Sequence, residues 1–143
     1  EEKVITAATV YDDVQTKYQG MNHIPKNVGS YYGLCTVRKS IERSSNIVNL
    51  KIMSNVGVDK CIDYLHEFGL DTYVKGEDGL TLAIGGATHG SSTLQMAAAY
   101  ATLANGGEYI EPTFYTKLVN ADGKTIMEPK QEKRRVILFL IFY

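Results

Sequence analysis

Apolar residues recur at helical spacing through the middle of the chain. With Thr36 as N-cap, Val37 to Arg43 is predicted to form one short helix, and Ile47 to about Asn55 a second. The tripeptide Ser44-Ser45-Asn46 separates the two segments. Side chains of these types compete for backbone hydrogen bonds, so we expect a helix junction there, with polar groups at its apex.

Two further helices are predicted downstream. The first is capped by Asp59, ends at Gly69 and carries an apolar stripe of Val58, Cys61, Ile62, Leu65 and Phe68. The second begins at the capping-box pattern Ser92-Thr93-Leu94-Gln95 and ends at Gly106-Gly107. We expect one face of it to be interior and to pack close to a neighbour. This small-residue face consists of Leu94, Ala97, Ala98, Ala101 and Ala104.

The remaining segments lack this helical pattern. Residues 1–30 are loop-like, with at most a strand or two, and residues 31–107 hold the helical part. Residues 108–129 predict a β-hairpin, with Tyr109 to Val119 as its first strand. Residues 130–143 are first basic and then apolar. The whole pattern predicts an α+β fold that is mainly helical.

Composition narrows the class of protein. A chain of 143 residues with 44% hydrophobic and 22% charged residues is typical of one soluble globular domain. Its 15 basic and 16 acidic residues give a net charge of -1, so nucleic acid is not an expected partner. No apolar run approaches the ~20 residues needed to cross a bilayer, and residues 1–6 lack a signal-peptide pattern.

Neither the cysteines nor the histidines form a ligand pattern. Cys35 and Cys61 are too far apart for a Cys-x-x-Cys motif and are expected to be small buried hydrophobes, although a disulfide between them stays open. His66 is expected to be solvated, and His89 to be a turn residue. The glycine-dense stretch Gly85 to Gly90 lacks P-loop and dinucleotide patterns, which favours a structural turn. No metal and no cofactor are therefore expected.

Short motifs follow one another in a fixed order along the chain. They are Pro25-Lys26-Asn27, Tyr32-Gly33, Thr36-Val37-Arg38, Ser44-Ser45-Asn46-Ile47-Val48, Val56-Gly57-Val58-Asp59, Phe68-Gly69, Leu82-Ala83-Ile84-Gly85-Gly86, Leu94 to Thr102, Ala104-Asn105-Gly106-Gly107 and Pro112-Thr113-Phe114. In this order and at these intervals they closely resemble the transpeptidase domain of class A (bifunctional) penicillin-binding proteins. The resemblance covers about residues 4 to 130.

That family uses three active-site motifs: Ser-x-x-Lys with the nucleophile, Ser-x-Asn, and Lys-Thr-Gly or Lys-Ser-Gly. Only Ser-x-Asn is present, as Ser44-Ser45-Asn46, since no serine has a lysine three residues on and Lys124-Thr125 is followed by Ile126. The resemblance therefore implies an internal piece of the domain, inactive alone because covalent catalysis needs the nucleophile.

The resemblance also implies roles for the tripeptide. Ser44 is expected to hydrogen-bond the lysine of the nucleophile motif and to share in proton transfer, which makes it the candidate catalytic residue. Asn46 is expected to hold an amide of the acyl donor or of a β-lactam side chain, and Ser45 to shape the turn. The implied enzyme cross-links peptidoglycan stem peptides at the outer face of the bacterial plasma membrane and is inhibited by β-lactams.

The end of the chain departs from the family. After the basic stretch the family turns amphipathic, whereas residues 136–143 are eight apolar residues without a polar break. Such a stretch could be an edge strand, an aggregation-prone segment or the scar of a shifted reading frame. We favour a scar or an artificial boundary.

A second interpretation is a non-catalytic helical interaction module that binds a partner through this apolar tail. A domain cut on both sides would also lose the sheet against which its helices pack. The stripe around Ile62 or the small-residue face would then be partly uncovered. Because exposed apolar surface of that kind favours association, we expect the chain to self-associate.

Overall fold

Helices and short strands alternate along the chain in the computed structural model, which describes residues 5–18 and 21–137. The α-helices of these residues are α1 (Val37–Glu42), α2 (Asn46–Val56), α3 (Val58–Glu67) and α4 (Thr93–Ala104), and a 3₁₀ helix covers Leu80–Ile84. Their strands are β1 (Val10–Asp13), β2 (Gly33–Thr36), β3 (Glu108–Ile110), β4 (Leu118–Val119), β5 (Thr125–Met127) and β6 (Lys133–Arg135). The α+β prediction is confirmed. No helix in the described part of the chain is long and apolar enough to span a bilayer.

The chain divides into two compact units. The first unit consists of Glu2–Ile62 and Val74–Thr88, and the second mainly of Asp63–Tyr73 and His89–Tyr143. In the first unit β1 pairs antiparallel with β2, which leads directly into α1. As predicted, the Thr36 side chain caps α1 by accepting a hydrogen bond from the backbone N–H of Lys39.

The core of the first unit lies under α2, which packs against the 3₁₀ helix. The helix begins at Asn46, one residue earlier than predicted, because Ser45 is its N-cap. Fully buried apolar side chains of this unit are Ile47, Val48, Leu50 and Ile62. Three of them come from α2, so the core of this unit holds the residues that directly follow the Ser-x-Asn tripeptide.

The second unit joins β3 to β6 in an antiparallel pair. From β6, Arg134 donates hydrogen bonds to the backbone oxygens of His66 and Glu67 at the end of α3. Its guanidinium also lies 4.2 Å from the centre of the Tyr109 ring. Part of the basic stretch is therefore a strand whose arginine caps a helix.

The predicted β-hairpin is present but shorter than expected. It consists of β4 and β5 around residues 120–123, and the prediction of a single strand from Tyr109 to Val119 is wrong. Pro112 interrupts that segment, and a proline has no N–H for a strand ladder. Past β6, Val136 is buried and its N–H donates to the Gly107 oxygen. The rest of the apolar tail, residues 138–143, lies outside the described residues.

Helix α4 begins with the predicted capping box, but its buried face differs from the prediction. The Ser92 hydroxyl accepts from the Gln95 N–H, and the Gln95 side chain accepts from the Ser92 N–H. Ala99 and Thr102 are buried, whereas most of the small-residue face is exposed, namely Leu94, Ala97, Ala101 and Ala104. A buried threonine is accommodated because its hydroxyl donates to the Ala98 oxygen within the helix.

Helix α3 ends at Glu67, and Gly69 stops it from the C′ position, as predicted. The N–H of Gly69 bonds to the His66 oxygen and the N–H of Leu70 to the Leu65 oxygen, which is the Schellman arrangement. Two expectations for this helix are wrong. Asp59 lies in its first turn rather than at the cap, and His66 is half-buried, with Nε2 2.7 Å from the Tyr73 oxygen.

Gly69→Ala is expected to lower the free energy of unfolding by about 2–4 kcal/mol, against about 1 kcal/mol for the control Gly123→Ala. Both glycines have a φ of 79°, so the backbone penalises a Cβ equally at the two positions. A Cβ on Gly69 would also lie 2.6 Å from Cε2 of the buried Tyr109, whereas Gly123 has nothing within 4 Å. Urea denaturation measures the difference, and equal losses would contradict the packing argument.

Candidate functional site

The junction between α1 and α2 places Ser44 in an unusual backbone conformation. Helix α1 ends in a Schellman arrangement, with Ser44 N–H on the Ile41 oxygen (3.1 Å) and Ser45 N–H on the Ser40 oxygen (2.9 Å). Ser44 occupies the position that glycine usually takes, and its φ is 52°. Among the described residues it is the one non-glycine with a positive φ. A side chain there costs roughly 1–2 kcal/mol relative to glycine, and this one is exposed.

Ser45 has a larger structural role than the sequence suggested. Its side chain is 2% exposed, and its hydroxyl accepts from the Val48 N–H (3.2 Å) as the N-cap of α2. The same hydroxyl donates to Oδ1 of Asp13 at 3.1 Å. Ser45 therefore shapes the turn, as expected, and also links it to a buried carboxylate.

Asn46 is the first residue of α2, and its side chain is half-buried. Its Nδ2 donates to the backbone oxygen of Lys26 at 2.8 Å. A side-chain amide carries two N–H donors and one carbonyl acceptor, so this bond uses one of the two donors and leaves the other donor and the carbonyl. The structure thus brings Ser44 and Asn46 to one helix junction, in the first unit, with the side chain of Asn46 held in place.

Asp13 is a member of this site that the sequence analysis missed. Its carboxylate is 0% exposed and accepts from Asn27 Nδ2 at both oxygens (2.9 and 3.0 Å). It also accepts from the Tyr32 N–H (3.1 Å) and from the Ser45 hydroxyl. Hydrogen bonds of this kind are what a buried charge needs to be tolerated. A hint was available in the sequence, because Asn27 belongs to a motif that carries the resemblance.

Asn27 connects Asp13 to the start of α2. While its Nδ2 donates to Asp13, its Oδ1 accepts from the Ile47 N–H at 3.2 Å. The first N–H groups of a helix have no partner within the helix, and Asn27 satisfies one of them. Tyr18 adds a further contact, since its hydroxyl donates to the Ile47 oxygen at 3.1 Å.

The thiols of the first unit are protonated at neutral pH. Burial, and to a lesser extent the negative charge of Asp13, raises the pKa of the Cys35 thiol. Burial also raises the pKa of Cys61, and both cysteines are free, so the possible disulfide is absent. Neither thiol has the lowered pKa that marks a nucleophilic cysteine.

The glycine-dense stretch is a structural turn, as predicted. Gly85 has a φ of 87° and ends the 3₁₀ helix. The buried carboxylate of Asp78 then accepts from the Thr88 N–H (2.7 Å) and from the Val74 N–H (2.8 Å). These bonds close the loop between residues 74 and 88, and His89 beyond it is exposed.

Comparison with known proteins gives a consistent set of similarities. The family model described as "Penicillin binding protein transpeptidase domain" matches residues 1–138. The chain is 34% identical over 146 residues to penicillin-binding protein 1A of Clostridium botulinum (strain Hall), covering 96% of this chain and 18% of that protein. It is 37% identical over 116 residues to penicillin-binding protein 1F of Bacillus subtilis, covering 80% of this chain and 16% of that protein.

Among solved structures, penicillin-binding protein 1A of Haemophilus influenzae is similar with a TM-score of 0.74 and 28% identity. That match covers 92% of this chain and 20% of the solved chain. The chain therefore spans a fifth or less of the length of each of these relatives.

Proposed function

The chain belongs to the family of penicillin-binding protein transpeptidase domains, and from this premise we propose that it supplies the Ser-x-Asn motif of a peptidoglycan D,D-transpeptidase. The whole protein would cross-link peptidoglycan stem peptides through a serine acyl-enzyme at the outer face of the bacterial plasma membrane, and β-lactams would inhibit it. The chain itself contains neither Ser-x-x-Lys nor Lys-Thr-Gly. Alone it would be inactive, because the nucleophile is missing.

The backbone of Ser44 is the observation that carries this proposal. An exposed serine occupies a left-handed helix-terminal position where glycine would be more stable. Strained residues of this kind are concentrated at functional sites. A hydroxyl retained there against the backbone preference supports a chemical role for Ser44.

Ser44 and Asn46 would act at different points of the reaction. During acylation a bond forms between the nucleophilic serine oxygen and the carbonyl carbon, the C–N bond breaks, and the serine proton must reach the departing nitrogen. A hydroxyl can accept and donate at once, so Ser44 would relay that proton together with the lysine of the first motif. The remaining N–H and the carbonyl of Asn46 would hold an amide of the acyl donor.

A labelled penicillin is expected to bind covalently to a chimera but not to this chain. In the chimera, residues 1–135 replace the matching segment of the Clostridium botulinum relative, whose flanking sequence is expected from the family pattern to supply the first and third motifs. Mass spectrometry should show one adduct per chimera, on the first-motif serine, and none on the chain. A stoichiometric adduct on a serine of the chain alone, or a folded chimera that stays unlabelled, would contradict the proposal.

Self-association is a second, separate proposal for the isolated chain. It is supported by the exposed apolar surface of α4, where Leu103 is 46% and Tyr100 68% exposed beside the exposed part of the small-residue face. At about 25 cal/mol per Å², a few hundred Å² of such surface would favour association by several kcal/mol.

Sedimentation at several concentrations is expected to show oligomers that Leu103→Glu weakens. Ile126→Glu, on the exposed hairpin, is the matched control and should leave the oligomers unchanged. A chain lacking residues 136–143 separates the contribution of the tail from that of α4. A strictly monomeric full chain would refute self-association.

A further inference from the structure

We propose that Asn27, oriented by Asp13, is a positioning residue that determines where the side chain of Asn46 lies. The inference rests on the proposed function for its catalytic consequence, because it concerns the substrate-binding residue of the Ser-x-Asn motif. Its geometric part concerns only this chain. Asn27 lies 19 residues before Asn46 in sequence, outside the tripeptide, and contacts the first turn of the helix on which Asn46 lies.

The carboxylate of Asp13 gives the Asn27 amide one orientation. An ionised carboxylate only accepts hydrogen bonds, and both of its oxygens face Asn27 Nδ2 at 2.9 and 3.0 Å. The amide cannot turn over without placing its oxygen against that negative charge. Its Oδ1 is therefore directed to the Ile47 N–H, a donor of the first turn of α2.

Asn46 is attached to the same short segment through its own side chain. Its Nδ2 donates to the oxygen of Lys26, the residue before Asn27. Pro25 is buried and fixes the backbone φ at the start of this segment. Lys26 and Asn27 thus contact the beginning of α2 by three bonds. They accept from the Asn46 side chain, from the Ile47 N–H and, at 3.4 Å, from the hydroxyl of the N-cap Ser45.

Ser44 is held by a different set of bonds. Its backbone is fixed by the end of α1, through the bonds to Ile41 and Ser40 described above. The Asn27 side chain makes neither of these backbone bonds, and its contact nearest to them is Oδ1, 3.4 Å from the Ser45 hydroxyl. Because that hydroxyl also donates to Asp13 at 3.1 Å, loss of Asn27 should displace Asn46 while leaving the left-handed conformation of Ser44 in place. The two members of the motif can be perturbed separately, which a general loss of stability would not do.

The first test measures, by NMR in the full chain, the resonances and the hydrogen-exchange rate of the Asn46 side-chain amide. Asn27→Ala is expected to shift the Asn46 Nδ2 resonances and to speed their hydrogen exchange. Asn55→Ala is the matched control, because Asn55 lies at the other end of α2 and donates to the Tyr11 hydroxyl instead. An unchanged Asn46 amide in folded Asn27→Ala would overturn the inference.

A conservative exchange keeps the test decisive if Asn27→Ala fails to fold. The double variant Asp13→Asn with Asn27→Asp restores one amide–carboxylate pair and keeps an oxygen acceptor for the Ile47 N–H. The double variant is expected to return the Asn46 resonances toward their original positions. Asp13→Asn alone and Asn27→Asp alone are expected to leave these resonances shifted. A double variant that is folded and no closer to the original spectrum than its singles would overturn the inference.

The second test measures acylation in the chimera, per titrated active site. Asn27→Ala is expected to slow acylation by roughly 10²-fold without changing the final stoichiometry, since misplacement rather than loss of folded enzyme is the cause. In an Asn46→Ala background the same change should add little, because both act through one contact. Full additivity, or a fall in stoichiometry with an unchanged rate, would assign Asn27 a merely structural role. If the unmodified chimera does not react with the β-lactam, the proposed function is refuted. The geometric part of the inference is still tested, because the NMR experiment uses only this chain.

Discussion

Removing the Ser44 hydroxyl in the chimera is expected to slow acylation by a β-lactam by roughly 10²–10⁴-fold, the usual contribution of a positioned proton-transfer group. Ser44→Ala and Ser44→Gly should be equally slow, because both lack the hydroxyl. The measurement is the second-order rate of covalent labelling. Ser91→Ala serves as the control and should keep the original rate, because the Ser91 hydroxyl donates to the Tyr73 hydroxyl within the second unit.

Stability separates the two Ser44 variants in the isolated chain. Ser44→Gly removes a Cβ from a left-handed position, and Ser44→Ala keeps it. Ser44→Gly is expected to raise the free energy of unfolding by up to about 1 kcal/mol, less than the full backbone cost because glycine loses more conformational entropy on folding, whereas Ser44→Ala gains nothing. A more stable and less active Ser44→Gly variant would show that the serine is retained for its chemistry. A Ser44→Gly chimera that acylates at the original rate would remove Ser44 from the mechanism.

Asp13→Ala is expected to lower the free energy of unfolding of the chain by about 3 kcal/mol, a large fraction of the stability of an ordinary domain. The substitution leaves three donors without their acceptor: Asn27 Nδ2, the Tyr32 N–H and the Ser45 hydroxyl. A buried donor left unsatisfied costs about 1–3 kcal/mol. The sum is smaller here, because Asn27 Nδ2 and the Ser45 hydroxyl keep longer bonds to the Ser30 oxygen (3.5 Å) and to Asn27 Oδ1 (3.4 Å), and because removal of a buried charge returns part of it.

The neighbouring residue provides a close control for Asp13. Asp12 lies on the same strand with an exposed side chain, so Asp12→Ala should change the free energy of unfolding by no more than about 0.5 kcal/mol. Urea denaturation of both variants gives the comparison. If Asp13→Ala lowers the free energy of unfolding no more than Asp12→Ala does, the hydrogen bonds to the Asp13 carboxylate add no stability.

The sequence alone correctly predicted the features that depend on a few neighbouring residues. Thr36, the Ser92–Gln95 box and Gly69 were each assigned to a helix end, and the structure places them there. Caps of this kind are closed by hydrogen bonds across three to five residues, so the pattern that forms them lies within one short window. The order of the motifs was likewise readable, and it led to the family that the comparisons show.

Tertiary packing determines which faces are buried and which distant segments meet, and neither could be predicted from local patterns. On α4 several stripes are apolar or small, and the sequence alone favoured one that the structure leaves exposed. The pairing of β3 with β6 joins segments more than twenty residues apart. Asp12 and Asp13 are adjacent and of one residue type, yet Asp13 alone of the two is buried. Its hydrogen bond to Ser45 spans 32 residues, and a contact of that range depends on how β1, α2 and the loop before β2 pack, which no local pattern encodes.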